Sequence, residues 1–137
     1  MTDVFSEAKR SYIMGQVKGK DTKPELLVRS MVHRMGFRFR LHRKDLPGAP
    51  DIVLPKHMKT IFVHGCFWHG HEGCPRSARP TTRPAFWKKK LDGNMRRDTE
   101  NVRHLTDMGW KVLVVWQCEM RNRTTLQAKL QAFLNED

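Results

Sequence analysis

Twelve residues, Val63-His64-Gly65-Cys66-Phe67-Trp68-His69-Gly70-His71-Glu72-Gly73-Cys74, hold three histidines, two of the chain's three cysteines and two large aromatic rings. A soluble domain folds without that mixture. Imidazoles and thiols bind metals and carry protons, and aromatic faces stack on bases, so the combination points to chemistry on nucleic acid.

Cys66, His71 and Cys74 offer three ligands within nine positions, and Cys118 is the only other cysteine. Structural zinc takes four tetrahedral nitrogen and sulfur ligands, and three thiolates with one imidazole suit it. An odd number of cysteines argues against a closed disulfide framework. In a reducing compartment, clustered cysteine and histidine bind metal instead. His64 or His69 could replace His71 as the fourth ligand, and Cys118 could equally be a buried thiol. A closed four-ligand site has no open position for water, so such an ion is scaffold. It would order a loop that buries too little apolar surface to order itself. The chemistry must come from other groups.

Pro47-Gly48-Ala49-Pro50-Asp51-Ile52-Val53-Leu54 presents a carboxylate at the start of an apolar run. An acid there either caps a turn or holds a cation. His69, just past the adjacent predicted strand, and Glu25, in the first turn of the first predicted helix, favour the cation. Mg2+ is bound by one or two carboxylates, carbonyls, waters and substrate phosphate oxygens. Such an ion would stabilise charge on a phosphodiester under attack while a neutral imidazole takes the proton from water.

Phe67 and Trp68 lie between a proposed zinc ligand and the proposed base. Flanked by histidines in a loop, they read as wedges. An inserted ring unstacks a base step, which costs least at a mismatch. Trp87 could stack similarly while Lys88, Lys89 and Lys90 hold phosphates, the alternative being a solvated helix face.

The bulk properties agree with a nucleic-acid partner. The 137 residues carry a net charge of +12, and the pI is about 10.2. No apolar run approaches the roughly 18 residues of a spanning helix, and the mean hydropathy is -0.64. The start of the chain has no secretory h-region, so a cytosolic or nucleoid location is expected. Nothing suggests a dimer interface, and a monomer is expected.

The elements that must position these groups follow from periodicity. Thr22-Lys23-Pro24-Glu25 has the form of a capping box, and Leu26, Leu27, Met31, Val32 and Met35 follow at helical spacing to Gly36, predicting a helix over 22–35. Alternation of Phe37, Phe39 and Leu41 with arginines predicts a strand over 37–41. The runs 51–54 and 60–63 predict a hairpin, and 64–84 reads as an irregular insert. A helix is expected over 94–108. The continuous apolar run 110–116 reads as a fully buried central strand with Cys118 at its end. A last amphipathic helix covers 125–134. This order predicts one α/β domain over 1–137, with a mixed sheet flanked by helices. Residues 1–20, with Lys9, Arg10, Lys18 and Lys20, read as a basic arm.

Arg10-Ser11-x-x-Met14, Thr22-x-Pro24-Glu25, Pro47-Gly48-x-Pro50-Asp51, Phe62-Val63-His64-Gly65-Cys66-Phe67-Trp68-His69, Phe86-Trp87, Asn94-x-x-x-Asp98 and Gly109-Trp110-x-Val112-x-x-x-Trp116-x-Cys118 together resemble the very short patch repair endonucleases. The likeness runs from about residue 8 to 120. It implies a restriction-endonuclease-like core with a structural zinc site in a bacterial cytoplasmic protein. It further implies nicking of double-stranded DNA 5′ of the thymine in T:G mismatches, which arise by deamination of 5-methylcytosine in CC(A/T)GG sites. On this resemblance Asp51 and the backbone carbonyl of Val63 hold Mg2+, and His69 is the general base. Glu25, His64 and Asp98 support them. Cys66, His71, Cys74 and Cys118 hold Zn2+. Phe67, Trp68 and Trp87 act at the base stack, and the arm embraces the DNA with Met14 entering the stack. Where restriction enzymes carry Asp/Glu-x-Lys, this chain has Val63-His64-Gly65. Two other readings remain: a zinc-stabilised DNA-binding module without catalysis, and a related nickase of relaxed specificity.

Overall fold

The structure, a computed structural model, describes residues 22–136. The basic arm over 1–20, Met14 included, lies outside the described residues.

Helix α1 spans Lys23–Arg34, with Thr22 Oγ1 accepting the amide of Glu25 and Pro24 in the first turn, where its missing N–H costs nothing. Gly36 then turns the chain at φ +90°, a conformation that glycine alone adopts without strain. Strands β1 (Arg40–Leu41), β2 (Ile52–Leu54) and β3 (Lys59–His64) follow, then α2 (Pro84–Asp107), β4 (Lys111–Trp116) and α3 (Arg123–Asn135). The sheet order is β1-β2-β3-β4; the first two pairings are antiparallel, and β3–β4 is parallel, as a helical crossover requires.

Helices cover both faces. Val28, Met31 and Val32 of α1 and Leu126, Leu130 and Leu134 of α3 pack on Ile52, Leu54, Ile61 and Val115. Leu105 of α2 packs on the opposite face with Leu46, Val53, Phe62 and Trp110. Successive strand residues point to opposite faces, so a sheet covered twice must be apolar at consecutive positions. That accounts for the unbroken runs of β2, β3 and β4. The ammonium of Lys59, 3% exposed, is taken up by the last carbonyls of α3, donating to those of Phe133 at 2.7 Å and Leu134 at 3.1 Å. Among the described residues no helix is long and apolar enough to cross a membrane.

Three expectations need correction. The strand predicted over 37–41 pairs only at Arg40 and Leu41, opposite Val53 and Ile52. In that register Phe39 would face Leu54, the last residue of β2, while Arg38 and Phe37 would face Pro55 and Lys56, which have already turned into a 3-10 helix, so the ladder cannot be extended over them. The helix predicted from residue 94 begins ten residues earlier, at Pro84. Gly93 disguised it; a mid-helix glycine costs about 1 kcal/mol against alanine, and here Trp87 and Leu91, buried on the same helix, offset it. Finally, β4 is an edge strand among the described residues and not central; only Val115 in it is fully buried. Its apolar run comes from helices on both faces: Leu113 joins one core and Val112 and Val114 the other.

Candidate active site and metal centre

The parallel pairing ends with His64 opposite Trp116, so the segments that run off β3 and β4 leave the sheet side by side. This brings Cys118 to the 66–74 loop. The ligand atoms of Cys66, His71, Cys74 and Cys118 all lie within 4.8 Å of one another. Cys118 Sγ is 3.4 Å from His71 Nδ1. A tetrahedral zinc with bonds of about 2.3 Å to sulfur and 2.0 Å to nitrogen sets such a pair about 3.5 Å apart. Three thiols with one imidazole are a zinc-type donor set, and the residues fit that ion. The imidazole beside the sulfurs is that of His71, which also stacks on Trp116 at 4.1 Å. His64 and His69 lie in a separate group.

That second group faces a cleft of about 360 Å³ whose walls include Glu25, Asp51, His64, His69 and Asp98. Asp51 reaches it from the loop before β2. There the antiparallel ladder has stopped at Ile52 and Ile61, and the Val63 amide donates instead to Asp51 Oδ2 at 2.6 Å. Burial pushes the Asp51 carboxyl up to about 7; the Val63 amide opposes that shift, and Glu25 adds to it by like-charge repulsion. His69 also acts electrostatically on Asp51. A half-buried carboxyl that is desolvated and faces a second carboxylate is a place where a bound cation would be stabilising.

His69 Nδ1 lies 2.7 Å from Asp98 Oδ2. With Nδ1–H donated to that carboxylate, Nε2 keeps its lone pair for a proton. His64 stacks on His69 with centroids 3.8 Å apart and planes 7° from parallel. Burial drives the His64 imidazole down to about 4, so this neighbour is neutral at working pH and adds no competing charge.

One face of α2 organises both sides of the cleft. Asn94 Nδ2 donates to the Trp68 carbonyl at 3.0 Å, steadying the loop that carries His69. Asp98 orients the His69 ring. A Cβ on Gly48 would stand 2.8 Å from Asn101 Nδ2, so the Asp51 loop lies directly against this helix. Only glycine fits there, at φ +75°.

The aromatic residues gather beyond the loop. Phe67 contacts Trp68 at 5.1 Å and Trp87 at 5.4 Å in edge-on arrangements, and Trp87 is only 9% exposed. Phe86, 44% exposed, packs on Trp87 and extends this cluster. Lys88 and Lys89 are exposed on the first turns of α2, Lys88 pairing with Asp92 at 3.5 Å, and Lys90 lies over the Trp68 ring.

Two residues in the cleft escaped sequence reasoning. His42 sits 3.7 Å from Asp51 Oδ1 and 3.4 Å from Glu25 Oε2, and Arg29 pairs with Glu25 at 3.2 Å. Arg29 follows Glu25 by four residues, a spacing that brings side chains together on a helix, and this was the available signal. His42 had none.

Comparison with known proteins supplies the class. The chain is 50% identical over 135 residues to a type II nicking enzyme, V.XorIIP, of Xanthomonas oryzae, covering 98% of both chains. It is 42% identical to the type II nicking enzyme V.NmeAIP of Neisseria meningitidis, over 99% of this chain and 96% of that one. The DNA mismatch endonuclease Vsr of Escherichia coli is 40% identical over 92% of this chain and 80% of its own. The protein is therefore a DNA endonuclease. Residues 2–75 match the family described as DNA mismatch endonuclease Vsr, and the chain belongs to that family.

Proposed function

We propose that this protein is a Mg2+-dependent endonuclease that nicks one strand of duplex DNA 5′ of the thymine in a T:G mismatch. Its family and the printed name of the Escherichia coli relative support mismatch as the substrate. The observation that carries the chemistry is the Asp98–His69 pair across the cleft from the half-buried, desolvated carboxyl of Asp51.

Asp51 and the Val63 carbonyl would hold the Mg2+. In an extended strand a residue's N–H and C=O face the same neighbour, and the Val63 N–H already points to Asp51. The ion, when bound, supplies charge stabilisation for the phosphodiester under attack. His69 takes the proton of the attacking water at Nε2, and Asp98 stabilises the imidazolium that results. Glu25 contributes negative charge to the cation's surroundings, and His64 a flat neutral wall that fixes the His69 ring. The group of Cys66, His71, Cys74 and Cys118 would hold a structural Zn2+ that secures the loop.

Phe67 and Trp68 would enter the base stack next to the mismatch, with Trp87 and Phe86 bracing them, while Lys88 and Lys89 hold backbone phosphate. Recognition rests on the mispaired step unstacking at least cost. The arm over 1–20, with Met14, would close on the DNA from the other groove, and the chain would act as one monomeric domain in the bacterial cytoplasm.

The test is nicking of otherwise identical duplexes that carry T:G or T:A in CC(A/T)GG. The reading expects a nick 5′ of the thymine in T:G only, and only with Mg2+. Equal cutting of both duplexes overturns the mismatch specificity, and salt-dependent binding without cutting returns the protein to a DNA-binding module. His69→Ala is expected to lower the single-turnover rate by about 10²–10⁴, the usual contribution of a general base. Its affinity for T:G duplex should stay close to that of wild type by fluorescence anisotropy.

A further inference from the structure

We infer that a second groove, at the starts of α1 and α3, anchors the sugar–phosphate backbone of duplex DNA through Lys23, Arg76, Arg121 and Arg123, apart from the catalytic cleft. The inference rests on the endonuclease class of the chain and is independent of mismatch specificity.

The groove, of about 400 Å³, shares no lining residue with the cleft that holds Asp51 and His69. Four of its lining side chains are cations, and none is a carboxylate. All four cations are exposed, and no ion pair within the described residues involves any of them. The carboxylates close by in sequence are committed elsewhere. Glu25 lines the catalytic cleft, and Glu72 lines a different cavity beside His69 and Met95. Glu119 accepts the Trp116 amide at 2.9 Å and the Lys129 ammonium at 2.8 and 3.0 Å. The groove is thus left with positive charge alone.

Local stability argues against cations in two of these places. Lys23 is the first residue of α1 and Arg123 the first of α3, where the helix macrodipole disfavours positive charge. The first turn of α3 holds no acid to compensate. Arg76 and Arg121 reach the groove from two 3-10 turns, one just after Cys74 and the other around Cys118. Ser77 Oγ donates to the Cys74 carbonyl at 2.7 Å and pins the first of these turns. Like charges gathered without counter-charge cost stability in the free protein and attract a polyanion, and a local rule broken twice at one place marks a functional surface. The floor is apolar, with Leu27 and Met120 resting on the core beneath. A cationic rim over an apolar floor suits phosphate oxygens with deoxyribose between them, and arginine takes such oxygens in pairs. Rim cations from three separate chain segments match a run of phosphates better than a single small anion.

Salt dependence of binding tests the anchor on zinc-loaded, full-length protein in Mg2+-free buffer. Fluorescence anisotropy of labelled T:G and T:A duplexes is followed from about 50 to 200 mM KCl. Each phosphate contact on duplex DNA adds about 0.9 to the slope of log affinity against log salt. Combined Arg121→Gln and Arg123→Gln substitution is therefore expected to reduce the slope by about 1.8, and to weaken T:G and T:A binding by the same factor. Arg121→Lys with Arg123→Lys should restore the slope. Lys56→Gln, exposed in the turn at the opposite end of the sheet from His64, should leave it unchanged. Phosphate-ethylation interference locates the contact: the phosphates whose ethylation weakens wild type should lose that effect in the double glutamine variant. Should that variant fail to fold, Arg76→Gln alone is expected to reduce the slope by about 0.9. An unchanged slope in a variant that melts like wild type overturns the inference and leaves the groove to an acidic protein partner. An equal drop in Lys56→Gln also overturns it, since net charge alone would then account for the effect. Wild type that binds T:G and T:A equally removes the proposed mismatch specificity and leaves this prediction standing.

Discussion

Asp51→Asn is expected to yield a protein that binds T:G duplex normally, does not nick it, and melts higher than wild type in Mg2+-free buffer at pH 8. On the proposed role of Asp51 the loss should exceed about 10³ in single-turnover rate, because the substitution removes the charge that would hold the cation and with it the electrostatic stabilisation of the transition state. The gain in stability follows from burial. The folded-state Asp51 carboxyl is raised to about 7 from the ordinary 3.8. Between those values the folded chain holds a proton that the unfolded chain has released, so stability falls as pH rises from about 4 through 7 and stays low above it. The difference between 3.8 and about 7 corresponds to an upper bound on the order of 4 kcal/mol. The carboxamide that replaces the carboxyl cannot ionise, and its oxygen can still accept the Val63 amide. The zinc-loaded variant should melt roughly 5 °C higher than wild type at pH 8, with the difference shrinking towards pH 5. Saturating Mg2+ should narrow the gap by stabilising wild type alone. Differential scanning fluorimetry across pH checks this; equal melting temperatures at pH 8 would contradict the buried-acid account.

Cys118→Ser is the second large expected effect. Removing one of four ligands should drop the zinc content well below one ion per chain. It should also lower the melting temperature by roughly 10 °C or more, since structural zinc contributes about 10–16 kcal/mol in small zinc-dependent folds. Nicking should fall at least about 10²-fold although residue 118 is given no part in the chemistry, because the 66–74 segment carries His69 between two of the proposed zinc ligands, and groups that support a site's ligands are commonly worth that much. Near-ultraviolet circular dichroism provides the local signal: the His71 ring stacks on Trp116 at 4.1 Å, and that tryptophan's environment changes when the imidazole is released. Full zinc content by atomic absorption, together with unchanged melting, would remove Cys118 from the ligand set; wild type without zinc would show the cluster to be four unliganded side chains.

Much of the molecule was legible in the residues, and the misses have physical causes. The hairpin of β2 and β3 and the helices α1 and α3 follow from patterns that depend on near neighbours in sequence, whereas the meeting of Cys118 with the 66–74 loop was legible only because cysteine is rare in this chain. The shortness of β1 depends on Pro55, which lies across the sheet and is invisible to any window around residues 37–41. The early start of α2 was hidden by Asp92-Gly93-Asn94, a turn-like triplet that tertiary packing overrides. The position of β4 could not be read because burial of both faces produces the same apolar run at a sheet's edge as at its centre. Reactive groups stood out through their rarity, as cysteines and clustered histidines do. Arg29 and His42 did not: an arginine on a helix usually belongs to solvent, and a loop histidine carries no periodic signal.

The face of α2 that meets Trp68, His69 and the Gly48 turn has a consequence for how this chain can vary. Asn94, Asp98 and Asn101 share one stripe through spacings of four and three. Each residue gained or lost between them would rotate the remainder by about 100° and shift it about 1.5 Å along the axis. Acid loop and base loop would then lose their common reference even with every reactive residue retained. Length changes are therefore far more permissible in the 75–83 connection or the 42–47 loop than between residues 94 and 101, which set the phase of the nuclease.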